Sequence, residues 1–259
     1  MRLLIKKDYE SICRWTADYI ISRIGNFAPD NGRHFVLGLP TGSSPLGVYK
    51  NLITAFNKGS LSFKHITTFN MEEYLDLPGD HPQSYRRYMH DNFFSHIDID
   101  TSNTHIPDGM ASDPEAECLA YENAITAVGG IELFLGGMGV NGHIAFNEPG
   151  SSLNSRTRVQ TLDRETVISN SRFFDGDINK VPKQALTVGT GTVMDAREVL
   201  IIVSGSNKAR ALQAVVEGGV SHWVPLSCLQ MHPSAIIVCD EDAASELKYG
   251  TVRYFQENN

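Results

Sequence analysis

The hydrophobic residues of this chain occur in short continuous runs, with polar segments between them. Continuous apolar runs are typical of strands that are covered on both faces, as in a parallel sheet flanked by helices. The opening stretch MRLLIKKDYE holds one such run, which is too short for a signal peptide and predicts a first strand. The pattern predicts further strands at HFVLGL (34–39), HITTF (65–69), IELFLGG (131–137), VLIIVSG (199–205) and AIIVCD (235–240).

Segments with helical periodicity lie between these runs. From Asp8 to Ile24 the apolar side chains recur at a spacing that places them on one helix face. The pair Asp113–Pro114 predicts a helix start, because Asp caps a helix and Pro suits its first position. Two further helices are predicted at Lys208–Val216 and Asp242–Tyr254. Strands that alternate with helices indicate an α/β fold, a doubly wound, mostly parallel open sheet with helices on both faces, as in Rossmann-like proteins.

Composition narrows the classes of protein to which the chain can belong. With 259 residues and 41% hydrophobic residues it can bury the core of a single α/β domain. A net charge of −8 and the lack of a basic block give no support for nucleic-acid binding. No apolar run reaches 18 residues, so we expect no membrane span. The four cysteines lack CxxC or metal-finger spacing, which indicates reduced, buried thiols in a cytoplasmic protein.

The segment from Thr161 to Gln184 is the least regular part of the chain. It is polar, with residues such as Asn170 and Asp175, yet it also carries Phe173 and Phe174. Both a plain surface excursion and a mobile lid over a site agree with this composition.

The loop Gly136–Pro149, GGMGVNGHIAFNEP, follows a predicted strand and carries the most informative chemistry. In open α/β sheets, active sites lie at the carboxyl ends of the strands. His143 can exchange protons near neutral pH, and Glu148 can orient it or share its proton. The alternative is a glycine-rich connection with one incidental histidine.

Two strand–loop–helix segments favour an anion. LGLPTGSSPLGVYK (37–50) offers a helix N-terminus and the hydroxyls of Thr41, Ser43 and Ser44, which suit a phosphate. SGSNK ends another strand, and its Lys208 begins a helix from which it could reach the same anion. A capped structural turn and a solvated lysine are the alternatives. Together the two segments favour a sugar phosphate over a neutral ligand.

Glu72 and Glu73 follow the strand HITTF side by side. Carboxylates at a strand end are candidate general bases. From this pattern alone, an acidic surface turn is the favoured interpretation.

Several long motifs occur here in the order known from one family. The chain resembles the glucosamine-6-phosphate deaminase family from about Met1 to Phe255. The 6-phosphogluconolactonase family shares the fold but is expected to lack FNMEEY and HIAFNEPGSS. The motifs that carry the resemblance are LGLPTGSSP, TFNMEEY, HPQSY, GHIAFNEPGSSLNSRTR, NSRFFDGD, VPKQALTVG and CDEDAASELK.

The resemblance implies conversion of glucosamine 6-phosphate and water to fructose 6-phosphate and ammonia, without a metal or an organic cofactor. It implies that His143 assists ring opening with support from Glu148 and Asn141, and that Glu72 transfers the C2 proton. Arg172 then lies in the irregular segment, which favours a lid there. The residues implied to hold the phosphate are Thr41, Gly42, Ser43, Ser44, Arg172 and Lys208.

Two departures from the family motifs concern catalysis. Glu72 replaces the usual Asp, and the extra methylene moves the carboxylate by roughly 1 Å, a displacement that can cost about 10²-fold in rate. Asn141 also replaces a common Asp; an amide lacks the charge that stabilises an imidazolium and can favour the other tautomer of His143. We expect binding to survive both exchanges. A weakly active or inactive sugar-phosphate-binding homologue is therefore the alternative to an enzyme.

A further departure concerns regulation. The resemblance implies a homo-oligomer, a hexamer or smaller, in which N-acetylglucosamine 6-phosphate binds between subunits. Gln160 stands where regulated members carry a lysine, so a charge-assisted bond to the phosphate, worth roughly 1.5–3 kcal/mol, is lost. A role in subunit packing is the alternative for this group. The residues implied to hold the effector are Met1, Ser151, Ser152, Arg158 and Tyr254.

Overall fold

The computed structural model describes residues 1–258, within which ten strands and eight helices are formed. The strands are β1 (Arg2–Lys6), β2 (Phe35–Leu39), β3 (Ile66–Asn70), β4 (Glu72–Tyr74), β5 (Thr104–His105), β6 (Leu133–Gly137), β7 (Arg158–Thr161), β8 (Gln184–Thr187), β9 (Val199–Val203) and β10 (Ala235–Asp240). The helices are α1 (Tyr9–Phe27), α2 (Leu46–Asn57), α3 (Tyr85–Asn92), α4 (Pro114–Ala127), α5 (Arg164–Asn170), α6 (Thr190–Met194), α7 (Ala209–Glu217) and α8 (Tyr249–Glu257).

Seven strands form one parallel sheet in the order β1-β10-β9-β6-β2-β3-β5. From β2 the chain moves outward to β3 and β5, and it then returns to place β6 on the other side of β2. The direction of winding therefore changes between β2 and β6, which is where ligands bind in open α/β sheets. The predicted α/β class is confirmed, as are the six predicted strands.

Both faces of this sheet are buried, which explains the continuous apolar runs. Leu37 of β2 packs with Ile12 of α1 and Leu52 of α2 on one face. Val36 of the same strand packs on the other face, in a cluster that includes Tyr121 of α4 and residues of α7. Neighbouring side chains along a strand point to opposite faces, so both alternate sets of side chains are buried and most of them are apolar.

A second, antiparallel sheet of three strands, β4-β8-β7, was not predicted. Its strands have three or four residues each, and the chain reaches them from distant segments. A third hydrophobic cluster lies against it; its buried members are Tyr74, Phe146, Leu162, Val167, Phe174, Val181 and Ala185. Short strands without alternation leave no local sequence signal, so tertiary packing decides their conformation.

The segment 161–184 is more regular than its composition indicates. It contains α5 and a 3₁₀ turn at Ser171–Phe173. Leu162, Val167 and Phe174 anchor it in the third cluster. Its mobility stays a prediction.

Three of the predicted helices form close to their expected bounds, but Asp242–Tyr254 was wrong in its first half. The chain forms turns over 241–247, and α8 starts at Tyr249. The Asp240 carboxylate accepts the backbone N–H of Ala243 at 2.8 Å, and Glu217 accepts that of Lys248 at 2.8 Å. These two bonds hold the chain in turns where the sequence pattern favours a helix.

The four cysteines are buried free thiols, as predicted. Across residues 1–258, no helix combines the length and the apolar character that a membrane crossing requires.

Close packing of α6 against the loop before β7 leads to a prediction about Gly189, the N-cap of α6. The Gly191 N–H donates to the Ser155 carbonyl oxygen at 2.9 Å, and a Cβ at position 189 would overlap that same oxygen. Gly189→Ala should therefore lower the free energy of unfolding by about 1–3 kcal/mol, measured by urea denaturation.

Gly25→Ala is the matched control, because Gly25 lies in α1 with no atom within 4 Å of its would-be Cβ. There the substitution should raise stability by roughly 0.5–1 kcal/mol. Equal effects at the two sites would contradict the proposed overlap.

Candidate functional site

A cavity of about 780 Å³ lies at the carboxyl ends of β9, β6, β2 and β3, which are neighbours in the parallel sheet. The loops that follow these four strands supply its polar lining, and α3 and α5 add the remaining walls. Its volume suits a small-molecule ligand. Within the described part of the chain, no cluster of three or more His, Cys, Asp or Glu could hold a metal ion.

The loop Thr41–Ser44 lines one end of the cavity. Gly42 has φ +88°, which a residue with a side chain rarely adopts. Hydroxyls from three helices bind the carbonyl oxygens of this loop: Tyr88 donates to Gly42, Tyr9 to Ser43 and Ser44 at 3.2 and 3.0 Å, and Tyr49 to Pro40. Because its carbonyl oxygens are bound, the loop can present N–H and O–H groups to an anion.

Two cations face the same end of the cavity. The Lys208 Nζ lies 3.5 Å from the Ser44 hydroxyl oxygen. Burial lowers the pKa of Lys208, Asp240 acts to raise it, and the charge of Arg172 lowers it further. The negative charge of a bound phosphate would compensate the cost of burying Lys208 and the repulsion between Lys208 and Arg172. The structure thus brings together all six residues implied to bind the phosphate, and that role stays a prediction.

The interpretation of Glu72 and Glu73 as an acidic surface turn was wrong. The two residues form β4 and are only 7% and 2% exposed. The carboxylate of Glu73 accepts the backbone N–H groups of Tyr74, Tyr85 and Arg86, each at 2.9 Å. Burial raises the pKa of Glu73, and these three bonds act against that rise. Glu73 therefore fixes the start of α3 and is a structural carboxylate.

Glu72 lies in a different environment. Its Oε1 accepts a bond from the Thr41 hydroxyl at 3.3 Å, whereas its buried Oε2 has no hydrogen-bond partner among residues 1–258. Burial raises the pKa of Glu72 to about 7, the bond from Thr41 opposes the rise, and repulsion from Glu73 adds to it. A carboxylate with a pKa near neutrality and a free oxygen at a cavity can both take and return a proton.

Asn141 orients His143. The Asn141 Oδ1 accepts the His143 backbone N–H at 3.2 Å and lies 2.7 Å from Nδ1 of the ring. Its Nδ2 faces Glu148 Oε2 at 3.5 Å. An amide oxygen that accepts the backbone N–H requires a proton on Nδ1, so Nε2 of the neutral ring is an acceptor. The expectation that Asn141 can favour the other tautomer does not fit this geometry.

The Glu148 carboxylate is held at both oxygens. Oε2 lies 3.4 Å from His143 Nδ1, and Oε1 accepts a bond from the Thr166 hydroxyl. Burial acts to raise the pKa of Glu148, but the bonds from His143, Thr166 and Asn141, with the charge of His143, hold that pKa below its usual value. No local sequence pattern pointed to Thr166, which is 18 residues from Glu148 in the irregular segment.

Three of the residues discussed for the effector site, Arg158, Ser151 and Gln160, are joined by hydrogen bonds. Arg158 donates to Asn147 at 2.8 Å, to Ser151 at 3.3 Å and to Gln160 at 2.9 Å, and burial lowers its pKa. Ser152 is exposed nearby in sequence. Met1 and Tyr254 belong to the β1 and α8 side, and no hydrogen bond or ion pair in residues 1–258 joins them to Arg158. The effector role stays a prediction.

Comparison with known proteins agrees with this geometry. The family model described as glucosamine-6-phosphate isomerases/6-phosphogluconolactonase matches residues 7–238. A protein named glucosamine-6-phosphate deaminase from Treponema denticola is 60% identical over 98% of this chain and 94% of its own length. One of the same name from Parabacteroides distasonis is 58% identical over 99% of this chain and 95% of its own. A solved structure described as a monomeric glucosamine-6-phosphate deaminase is 41% identical, with a TM-score of 0.90 over 95% of this chain and 99% of that one.

Because the pKa of Glu72 is raised in the folded protein, the free energy of unfolding should depend on pH. Its pKa is about 7 when folded against 4.5 for the free side chain, so the folded protein holds a proton that the unfolded chain releases between these values. Stability from this group is therefore lost as pH rises from about 4.5 through 7. Glu72→Gln should raise the free energy of unfolding by about 2 kcal/mol at pH 8 and by less at pH 5, measured with urea.

Glu73→Gln is the control, because the amide keeps only one of the two oxygens that accept three backbone N–H groups. It should lower stability by about 1–2 kcal/mol at both pH values. A stabilising effect of both variants at pH 8 would show that burial dominates at both carboxylates and that the hydrogen bonds to Glu73 do not set it apart from Glu72.

Proposed function

Because this chain belongs to the family of glucosamine-6-phosphate isomerases and 6-phosphogluconolactonases, we propose that it is the deaminase of glucosamine 6-phosphate. The reaction is the conversion of glucosamine 6-phosphate and water to fructose 6-phosphate and ammonia, with hydrolysis of a C–N bond. The curated relatives that carry the deaminase name align over almost the whole chain, which supports this member of the family over a lactonase.

One observation carries the proposal: Glu72, a buried carboxylate with a pKa of about 7, lines the same cavity as His143, the loop Thr41–Ser44 (the anion loop), and the cations Arg172 and Lys208. An aldose–ketose isomerisation needs a base that removes a proton from C2 and returns it at C1. A carboxylate with a pKa near the working pH is suited to both steps. Its buried Oε2 has no hydrogen-bond donor within the described residues, so no existing bond has to break before that oxygen takes up a proton.

The phosphate of the substrate would bind the loop Thr41–Ser44, with Arg172 and Lys208 on the opposite side. The loop supplies N–H and O–H donors, and the two cations supply the charge. This anchor would fix the distance from the phosphate to the reacting carbons. The sugar ring would then lie between the anion loop and His143.

Ring opening would use the imidazole of His143. With Nδ1–H directed at Asn141, the ring nitrogen Nε2 can accept the proton of the C1 hydroxyl and deliver a proton to the ring oxygen. Glu148 would stabilise the imidazolium formed in between, because its carboxylate is held ionised 3.4 Å from Nδ1.

Glu72 would then take the C2 proton to give an enolamine and return that proton to C1. The product is a C2 imine, to which water adds. Loss of ammonia leaves the C2 ketone of fructose 6-phosphate, so one water is consumed and one ammonia is released.

Three further properties belong to the same proposal. The segment 161–184 acts as a mobile lid, supported by Arg172, Phe173 and Phe174, all of which line the cavity. The location is cytoplasmic, supported by four free buried thiols. The chain forms a single α/β domain and assembles as a homo-oligomer of six or fewer copies.

The Arg158 group is proposed as the site that N-acetylglucosamine 6-phosphate would occupy, with activation weakened or lost because Gln160 brings no positive charge. The half-buried guanidinium donates to neutral oxygens of Asn147, Ser151 and Gln160, so an incoming phosphate would meet an uncompensated cation. Turnover measured with and without the effector tests the effector site. The molecular mass in solution, measured by light scattering, tests the homo-oligomer.

A product assay tests the reaction itself. Wild-type protein should release ammonia and fructose 6-phosphate in equal amounts from glucosamine 6-phosphate. Glu72→Gln should bind the substrate but lose about 10²–10⁴-fold in kcat, because the amide cannot accept the C2 proton. Tight binding of the substrate by the wild type without either product would favour the alternative of a sugar-phosphate-binding homologue.

Asn141 yields a separate prediction, because its amide oxygen already holds the proton on Nδ1 of His143. Asn141→Asp would bring a second negative charge to Glu148, where the amide now donates at 3.5 Å. We expect kcat to change by no more than about tenfold. Asn141→Leu should lower kcat by about 10² or more, because tautomer control is lost. A gain well above tenfold for Asn141→Asp would show that the amide limits the reaction.

A further inference from the structure

The Thr166 hydroxyl joins two separate elements of the site. Thr166 lies in the first turn of α5, is 8% exposed, and directs its hydroxyl out of the helix to Oε1 of Glu148. Threonine hydroxyls commonly bond to backbone groups of their own segment. Here the hydroxyl instead binds a carboxylate on a loop that follows a different strand.

This bond determines which way the carboxylate faces. Glu148 can rotate about its last torsion, which has broad minima. With Oε1 bound to Thr166, the other oxygen is directed to Asn141 Nδ2 and His143 Nδ1. Without the hydroxyl, a buried oxygen would lose its donor, and rotation toward other donors would break the contact with His143.

Two further side chains of α5 contact the body of the protein. Val167 packs in the third hydrophobic cluster, and Asn170 donates to the Tyr74 hydroxyl at 2.9 Å. The helix then runs directly into the 3₁₀ turn that carries Arg172. One continuous helical segment therefore holds both the donor to Glu148 and a cation of the anion site.

We propose that Thr166 is a positioning residue: its hydroxyl fixes the Glu148 carboxylate against His143, and its helix links that alignment to anion binding at Arg172. The inference rests on the proposed function for the role of His143 and Glu148. A substrate phosphate that holds Arg172 would hold α5, and through Thr166 it would hold the group that orients the imidazole.

Other charges near Glu148 must be kept constant in the test. The remaining charged side chains that line the cavity are Glu72, Asp91, Glu165, Arg172 and Lys208. His222 lies on the neighbouring loop, where its carbonyl accepts the Gly150 N–H at 2.8 Å. None of these is changed by Thr166→Val, which keeps the shape of the side chain and removes only the donor.

The first experiment needs no turnover. Carboxyl ¹³C NMR follows the titration of Glu148, with Glu148→Gln to assign the signal. Thr166→Val should raise the pKa of Glu148 by about one unit, because a bond to the ionised form is lost, and Thr166→Ser should restore it. Thr161→Val, an exposed threonine of the same segment, is the control and should leave the titration unchanged.

The second experiment is a double-mutant cycle on kcat/KM. Thr166→Val alone should lower kcat/KM by about tenfold, mainly in kcat. In the double variant with Arg172→Met, the loss of kcat/KM should be smaller than the product of the two single losses by about fivefold or more. The reason is that both residues act through one helix. Combined with Lys208→Met, on a separate element, the losses should multiply.

A Thr166→Val protein that folds, titrates and turns over like the wild type would overturn the positioning role. Losses that multiply equally with Arg172→Met and Lys208→Met would overturn the link through the helix. If Thr166→Val folds poorly, Thr166→Ser and Thr166→Ala give the same comparison. If wild-type protein formed no fructose 6-phosphate from glucosamine 6-phosphate, that result would count against the proposed function. The NMR result would still test the bond from Thr166 to Glu148, because it does not depend on turnover.

Discussion

Burial of both faces of the parallel sheet is the constraint on which the rest of this structure depends. Helices cover the two faces, so the strands themselves can carry few polar side chains. Most of the polar side chains that the parallel sheet contributes to the cavity therefore lie in the loops at its strand ends. Four neighbouring strands end at one edge, and their loops form the cavity. The anion loop and the His143 loop flank the point where the winding reverses.

At and beside that cavity, similar carboxylates acquire different properties from their contacts. Glu73 accepts three backbone N–H groups, Glu148 is bound at both oxygens, and Glu72 keeps one oxygen without a donor among the described residues. Burial raises the pKa of a carboxyl group in each case, and hydrogen bonds to the ionised form oppose it. The balance leaves Glu148 ionised and places Glu72 near neutrality.

The two catalytic departures from the family motifs have different physical meanings. Asn141 keeps the hydrogen-bond pattern that fixes His143, and it avoids a second negative charge beside Glu148. Glu72 has a longer side chain than the Asp that it replaces, and its carboxylate contacts the Thr41 hydroxyl of the anion loop. That contact joins the proposed base to the loop that is proposed to hold the phosphate.

The sequence by itself determined the α/β class, the six main strands, the anion loop and the identity of His143 and Glu148 as functional candidates. Each of these leaves a local signal, because periodicity, glycines and helix caps act over a few residues. The tertiary structure alone decided the small antiparallel sheet, the burial of Glu72 and Glu73, the turns before α8, and the bonds from Thr166 and from Tyr9, Tyr49 and Tyr88. These features join residues far apart in the chain, and burial and long-range hydrogen bonds depend on packing that no local pattern records.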